Sequence, residues 1–305
     1  MARNSAVVIV MAVVLAACSI KRMAVDIIGD ALSGGGGVFA SEEDPQLIRE
    51  ALPFGLKTYE SLLAISPEHE GLLLAAASGF AAYAFLLQRE ADEIDATDLT
   101  QARELRARAR NLYLRGRDFA LRGLELAHPN FVAQLYDDAR STLTKTEQED
   151  VPYLYWAGAA WAGALSAAKD DLTLLAELPL AAALVGRVLV LDEVYGQGVA
   201  HEFFISYEGT RPGGSRAKAR EHYRRALELS DGLRASVHLA LAEAVTVREQ
   251  NLDEFRALVA AAKGVELDKA PNFRLVNTLA RERAVWLESR IPELFLEVES
   301  GEEKG

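Results

Sequence analysis

Apolar positions recur at steps of three and four residues along most of the chain, with Leu72, Phe80 and Leu87 as one example. This spacing places apolar side chains on one face of an amphipathic helix. Ser66 and Pro67 precede that run, where they predict an N-cap and a proline at the first helical position. No convincing run of alternating β-branched residues is present. The pattern therefore predicts an all-α fold.

A short motif returns at the ends of alternate predicted helices. It has an apolar residue, any residue, a second apolar residue, and then a small or helix-ending residue. Copies occur at 63–66, 124–127, 189–192, 227–230 and 265–268. Their third positions are 61, 65, 38 and 38 residues apart, against about 34 residues in a tetratricopeptide unit. We expect degenerate tetratricopeptide-like hairpins that stack into a curved array with a concave surface over residues 45–292. The alternative is a helical bundle whose helices happen to end in Leu-x-Leu.

The first 17 residues have the features of a secretory signal peptide. Arg3 is their one charge, Ala6 to Leu15 are almost wholly apolar, and Ala16 and Ala17 are small. The apolar stretch is too short for a permanent membrane span. Together with Cys18 this end resembles a bacterial lipobox, in which the cysteine is diacylated and becomes the first residue. The alternative is an ordinary signal peptide with a chance cysteine.

Lipidation at Cys18 predicts a lipid-anchored periplasmic or surface protein, because two acyl chains suffice for stable membrane attachment. Ser19, rather than an aspartate, follows the cysteine and slightly favours the outer membrane. Residues 18–44 are then the lipidated N-terminus and a glycine-rich tether, because four consecutive glycines follow Ser33. A phosphate-binding loop would need a following Gly-Lys-Ser/Thr. Residues 293–305 are predicted to be an acidic tail.

Residues 151–168 contain no charge and include seven alanines and two glycines. The length is at the lower limit for a membrane span. However, alanine and glycine contribute little to membrane insertion beside leucine. A helix that is apolar all round is also typical of a core helix surrounded by others. We therefore favour a buried helix over a membrane span.

Composition excludes several classes of function. The chain has 45 acidic and 33 basic residues and a net charge of −12, which argues against a nucleic-acid partner. One cysteine excludes a disulfide framework and a zinc site of several thiolates. His201 and Glu202 begin like a zinc-protease helix, but Ile205 stands where the second histidine is needed. We expect no enzymatic activity, metal or cofactor. A hydrolase, the most distant alternative, needs a histidine within hydrogen-bonding reach of a serine and a carboxylate.

The stretch 195–207 is the most distinctive in the chain. Two glycines interrupt the preceding helix, and an aromatic-rich helix then begins with adjacent ionisable groups. One interpretation is a helix that packs on 152–168 with its polar groups satisfied. The other is an apolar chamber with a few polar groups, as small-molecule sites are usually built. The candidates to line such a cavity are Tyr153, Trp156, Tyr195, His201, Glu202, Phe203, Phe204 and Tyr207.

Seven arginines lie on one predicted helix between positions 103 and 122, with only Glu104 and Asp118 to offset them. This excess of positive charge could attract an acidic partner or anionic headgroups. The candidates for partner docking are Arg103, Arg106, Arg110 and Arg117. The alternative is a solvated face paired with the acidic residues at 90–98.

The lipobox, the helical body, the uncharged helix and the stretch 195–206 together resemble the TatT component family, which comprises tetratricopeptide-type periplasmic lipoproteins associated with TRAP transporters. The resemblance implies a central cavity or pore through each protomer and self-association as a trimer. It also implies binding to the transporter's extracytoplasmic solute-binding protein, with passage of a hydrophobic or organic-acid ligand. The chain departs from the tetratricopeptide consensus at Leu73, Ala77 and Phe80, where the repeat has Trp, Gly and Tyr. The alternative function is a helical-repeat assembly factor of the bacterial envelope without a ligand.

Overall fold

The computed structural model describes residues 25–34 and 36–296. Within these residues all regular structure is helical and no β-strand occurs, which confirms the all-α prediction. Cys18, the predicted lipidation site, lies outside the described residues. In chain order the α-helices are α1 (25–33), α2 (Gly36–Ala40), α3 (Pro45–Leu63), α4 (Glu70–Ile94), α5 (Leu99–Ala127), α6 (Phe131–Asp137), α7 (Ala139–Thr144), α8 (Val151–Ala167), α9 (Leu172–Leu175), α10 (Leu178–Leu191), α11 (Val199–Thr210), α12 (Arg216–Leu229), α13 (Ala235–Leu241), α14 (Val247–Glu249), α15 (Leu252–Gly264), α16 (Arg274–Ser289) and α17 (Ile291–Leu294).

Short segments of other helix types connect these elements. A π-helical turn, Ala242–Thr246, joins α13 to α14 without a break. Turns of 3₁₀-helix precede α8, α11 and α16, at Gln148–Asp150, Tyr195–Gln197 and Pro271–Phe273. The turn before α11 lies in the distinctive stretch of the sequence.

Polar side chains cap the longest helices. The Asp44 carboxylate accepts from two backbone N–H groups at the start of α3, and Asp98 does the same for one N–H of α5. The expected N-cap at Ser66 is wrong. Helix α4 begins at Glu70, His69 caps it by accepting from the backbone N–H of Leu72, and the Ser66 hydroxyl instead donates to a side chain of α1.

The recurring motif marks helix ends, as predicted. Helices α3, α5, α10, α12 and α15 each end within their copy of the motif or directly before it. The longer intervals have a structural cause: α4 and α5 have 25 and 29 residues, and α6 and α7 are inserted between α5 and α8.

Neighbouring helices pack in a regular order. Helix α4 packs on α5, α8 on α10, α11 on α12, and α13 on α15. The second helix of each pair also contacts the first helix of the next pair, and α15 contacts α16 in the same way. Helix α16 packs back on α2 and α3, and the guanidinium of Arg89 on α4 donates to the carbonyl oxygen of Leu279 on α16 at 2.7 Å. Helix α16, near the end of the described chain, therefore contacts helices from its beginning.

Two hydrophobic cores result from this packing. The first core is built mainly from α3, α4, α5, α8 and α10. The second is built from α11, α12, α13, α15 and α16. Helix α11 contributes Ala200 to the first core and Ile205 to the second. The distinctive stretch therefore lies at the junction of the two cores.

Helix α8 is a core helix, as the sequence favoured. It lies against α4, α5 and α10, and its Trp161 side chain is fully buried. Glycine allows α10 to approach closely: a Cβ built on Gly158 would lie 2.7 Å from the carbonyl oxygen of Ala181. Two stretches of the described residues, Glu70–Ile94 and Leu172–Leu191, are long and apolar enough to span a membrane by length and composition alone, a test that core helices also pass.

The ends of the chain differ from the sequence prediction. The described part of the predicted tether is helical and forms α1 and α2. Helix α1 also packs on the rest of the fold, because Val25 is buried and Gly29 lies tightly against His69. The predicted acidic tail begins too early. Phe295 is buried against Phe255 with their ring centroids 5.0 Å apart, and residues 297–305 lie outside the described part.

Candidate functional site at the junction of the two cores

The link between α10 and α11 makes a tight left-handed turn. Gly196, Gln197 and Gly198 have φ values of 53°, 55° and 85°. Glycine adopts this region without steric cost, whereas other residues do so rarely. A Cβ on Gly198 would also lie 3.2 Å from the Cβ of Leu229. These features explain why α11 can begin directly after the turn and pack on α12.

An ion pair between a buried arginine and a partly buried glutamate lies beside this turn. The guanidinium of Arg234 donates to a carboxylate oxygen of Glu202 on α11 at 2.7 Å and to the carbonyl oxygen of Gly196 at 2.8 Å. Arg234 is only 8 % exposed, and its Nε has no hydrogen-bond partner among the described residues. The face of the guanidinium lies 5.2 Å from the ring centroid of Phe273. Such a pair is sensitive to the loss of either partner.

Three aromatic side chains adjoin the ion pair. The ring centroid of Tyr155 lies 5.2 Å from that of Trp156 and 5.6 Å from that of Tyr195. Burial raises the pKa of both tyrosines above their usual value. Their hydroxyls are therefore neutral at physiological pH. We call Tyr155, Trp156 and Tyr195 the Trp156 group.

A second set of polar residues lies on the α12 side of α11. Arg225 donates two hydrogen bonds to Glu193, at 2.9 and 2.7 Å, and Glu193 accepts a third from His201 Nε2 at 3.0 Å. The hydrogen bond from Arg225 is the main reason that the pKa of Glu193 falls to about 2. His201 Nδ1 lies 2.8 Å from His222 Nδ1. With both rings neutral, His222 donates across this contact and His201 accepts.

Burial lowers the pKa of both histidines. For His201 the hydrogen bond to Glu193 opposes this effect, and for His222 the neighbouring His201 adds to it. The pair shares a single contact between two nitrogens. It can accept one proton without losing that hydrogen bond, but two would place N–H groups face to face.

The remaining aromatic candidates extend from the histidines. Phe204 stacks on His222 with centroids 5.2 Å apart and contacts Phe203 and Tyr207 edge to face. Phe203 also stacks on Tyr207 at 6.0 Å. All three rings are half-buried. We call Phe203, Phe204 and Tyr207 the Phe204 group.

The structure thus places seven of the eight predicted cavity residues around the junction: Trp156 on α8, Tyr195 in the turn before α11, and five on α11. Tyr153 is the exception: it packs on Gly123 of α5, and its hydroxyl donates to the carbonyl oxygen of Glu70 at 2.7 Å. Sequence reasoning missed Arg234, Glu193 and His222. Arg234 and His222 come from later helical segments, so no local pattern connects them to 195–207.

The predicted docking arginines are mostly paired. Arg106 binds two acidic residues of the α4–α5 corner, Arg110 binds Asp171 at 2.7 Å, and Arg117 binds Asp118 at 2.7 Å while lying over the Trp161 ring. Arg103 is exposed and has no hydrogen bond or ion pair with the described residues. The pairing of Arg106 with acids near position 92 matches the alternative weighed from the sequence.

Two surface clefts lie away from the junction. One, of about 320 Å³, lies between α3 and α5, and the other, of about 240 Å³, lies between α5 and α6. Of the predicted candidates only Arg117 lines either of them. Among the described residues no group of three or more histidine, cysteine or acidic side chains is arranged to hold a metal ion.

Comparison with known proteins identifies the family. The chain is 26 % identical over 268 residues to an uncharacterized protein of Treponema pallidum (strain Nichols), covering 85 % of this chain and 83 % of that protein. The family described as TAtT, TRAP transporter T-component, matches residues 41–295. That match includes α4 to α16 and the whole junction. The chain belongs to the TRAP transporter T-component family.

Proposed function

We propose that this protein is a periplasmic lipoprotein that binds the solute-binding protein of a TRAP transporter and does not act as an enzyme. Membership of the T-component family supports an association with such a transporter. Its direct partner in this proposal is the solute-binding protein. The protein is anchored through acylated Cys18, and the outer membrane is slightly favoured as its location.

The helix order supports tetratricopeptide-like repeats as the architecture of the binding surface. Four helix pairs follow one another, and the second helix of each pair packs on the first helix of the next unit. This is the nearest-neighbour packing from which repeat proteins build a concave surface. The contact of α16 with α2 and α3 brings the two ends of the array together. We propose that the array surrounds a central cavity or pore and that three protomers associate.

The ligand part of the proposal rests on the junction. The ion pair between buried Arg234 and partly buried Glu202 lies beside half-buried aromatic rings. Small-molecule sites usually combine an apolar lining with a few oriented polar groups. We propose that the Trp156 and Phe204 groups contact a small hydrophobic or organic-acid ligand that passes to the solute-binding protein.

Binding to the partner is tested with the purified mature chain and the solute-binding protein of its transporter. Analytical ultracentrifugation should reveal a complex, and native mass spectrometry of the chain alone should reveal three protomers. Absence of a complex at protein concentrations of tens of micromolar would refute the partner assignment. A Cys18→Ser variant should lose the diacyl mass and remain in the aqueous fraction after detergent phase separation.

The ligand is tested by native mass spectrometry of protein purified without denaturation. Trp156→Ala and Phe204→Ala should lose a small molecule that the wild-type protein retains. Phe54→Ala is the matched control, because Phe54 is 80 % exposed on α3 and far from the junction in sequence. Equal retention by all variants would refute the ligand site. Binding of the partner without any retained ligand would instead favour the scaffold function.

A further inference from the structure

The cleft between α3 and α5 has a composition unlike the rest of this acidic chain. Its volume is about 320 Å³. Its lining consists of Lys57, Glu60, Leu63, Ala64, Arg115, Phe119 and Arg122. Three of these side chains are cationic and one is anionic. The cleft therefore carries two excess positive charges in a protein whose net charge is −12.

The cations of the cleft are not matched one to one by carboxylates. Lys57 and Arg115 both bind the same carboxylate, that of Glu60. Arg122 donates to the carbonyl oxygen of Pro67 at 3.0 Å, which carries no formal charge. Two guanidiniums and an ammonium thus face a single carboxylate, and the cleft retains the capacity to bind further anionic oxygens.

Aromatic rings hold the two guanidiniums in place. Arg115 lies over the ring of Phe80 at 4.9 Å, and Arg122 lies over the ring of Phe119 at 5.3 Å. A guanidinium stacked by its face keeps its N–H edge available for a carboxylate. Beneath them Phe119 and Leu63 form a buried apolar floor. The cleft therefore combines oriented guanidinium N–H groups with an apolar floor, a combination that suits a carboxylate on a short apolar stem.

Two arginines in the N-terminal half of α5 have carboxylate partners of their own. Arg106 binds two carboxylates, Asp92 and Asp95, and Arg110 binds Asp171. Arg103 and Arg108 of the same half bind no carboxylate among the described residues, but Arg103 is exposed, Arg108 contacts Tyr83, and neither lines this cleft. The arginines of α5 that line the cleft are Arg115 and Arg122, and neither is among the docking residues expected from the sequence.

We propose that this cleft is the surface that receives acidic side chains of the TRAP solute-binding protein. The inference rests on the proposed function and specifies where the partner binds. An acidic chain repels a partner's carboxylates at long range, so attraction must come from a local patch of positive charge. The two excess charges, the oriented guanidiniums and the apolar floor meet that need at one place.

The main test measures the affinity for the solute-binding protein at two salt concentrations. The double variant Lys57→Gln/Arg122→Gln should weaken binding at least about tenfold, because loss of a close charge contact worth about 1.4 kcal/mol has that effect. Its affinity should also depend less on salt than that of the wild-type protein. Lys57 is exposed, and within the described part of the chain Arg122 bonds to a carbonyl oxygen and stacks on a ring, so the fold should be retained.

The double variant Arg103→Gln/Arg256→Gln is the matched control, since it removes two positive charges at exposed positions outside the cleft. Its affinity should stay within about twofold of wild type. If this control weakens binding as much as Lys57→Gln/Arg122→Gln, net charge rather than the cleft is responsible and the proposal is wrong. If the wild-type protein binds and Lys57→Gln/Arg122→Gln binds equally well, the cleft is again excluded, while the partner assignment survives.

A second measurement does not depend on affinity. A benzoylphenylalanine at Ala64, which is exposed at the cleft, should cross-link to the solute-binding protein on irradiation. The same group at Gln101, exposed near Arg103, should not. Cross-linking from Ala64 to a second copy of this chain or to lipid alone would overturn the proposal. Failure of the wild-type protein to bind the partner in any assay would refute the proposed function as well.

Discussion

The close helix contacts of the first core and the junction beside the second core differ in what lies between the helices. In the first core, α4 and α5 approach so closely at Gly116 that a Cβ there would lie 2.8 Å from a backbone oxygen of α4. At the junction, a charged pair connects the segments: Arg234, only 8 % exposed, binds Glu202 on α11. Close packing leaves no room for a ligand, whereas polar bridges leave groups that can exchange partners. The contrast explains why the ionisable groups of the candidate site gather where the second core begins.

The largest expected effect is the loss of the Glu202–Arg234 ion pair at the junction. Glu202→Ala leaves the Arg234 guanidinium buried without its carboxylate. Because the Glu202 side chain is 21 % exposed, the free energy of unfolding should fall by an amount near the lower end of the about 3–5 kcal/mol that breaking a buried pair costs. Urea-induced unfolding followed by circular dichroism measures the change.

The control for this variant is a solvent-exposed pair of the second core. Glu288→Ala removes the partner of Lys263, and both side chains are about 40 % exposed. A surface pair contributes at most about 1 kcal/mol. If both variants lose the same stability, the Glu202–Arg234 pair is not effectively buried and the contrast between the first core and the junction fails.

The next effect concerns the first core. Gly158→Ala places a methyl group 2.7 Å from the carbonyl oxygen of Ala181 and 2.6 Å from a methyl of Val185. Because α8 and α10 must separate to accommodate it, we expect a loss of about 1–3 kcal/mol in the free energy of unfolding. Thermal and urea unfolding both measure this.

Gly55→Ala is the matched control. Nothing lies within 4 Å of a Cβ built at Gly55, which is within α3. There the added methyl should raise stability by about 0.4–1 kcal/mol, because it restricts the unfolded chain. A stabilising Gly158→Ala would mean that the helices of the first core are not in close contact.

Much of the fold could be predicted from the sequence because its causes are local. Helical periodicity and the motif at helix ends depend on neighbouring residues, and both are found as expected. Ser66 failed as a cap because its hydroxyl binds Asp26, a residue 40 positions away. For the same reason the candidate site was found only in part: the aromatic side chains of 195–207 are visible in the sequence, but Arg234 reaches them through packing.

The partners of the predicted docking arginines also could not be read from the local sequence. An arginine-rich helix indicates positive charge, but which arginines are neutralised depends on the helices beside it. Asp171 follows α8 in the chain and meets Arg110 across a distance of 61 residues. The arginines of α5 that line the cleft between α3 and α5, Arg115 and Arg122, are not the ones that the sequence singled out.

The smallest expected effect is a pH dependence that arises at the histidine pair. Burial keeps the pKa of His201 and His222 lower in the folded protein than in the unfolded chain. The unfolded chain therefore binds more protons as the pH falls below about 6.5, and the free energy of unfolding must decrease in that range. Glu193 contributes little between pH 7 and pH 5, because its folded pKa of about 2 and its ordinary pKa of 4.5 both lie below that range.

The double variant His201→Gln/His222→Gln isolates this contribution. Its stability should decrease less between pH 7 and pH 5 than that of the wild-type protein, whatever its stability at pH 7. Urea titrations at a series of pH values give the two slopes. His238, whose pKa is also lowered by burial, remains in both proteins and cancels in the difference. Equal slopes would mean that the two rings accept protons as readily as in the unfolded chain, and the junction would then be open to water like the surface of the second core.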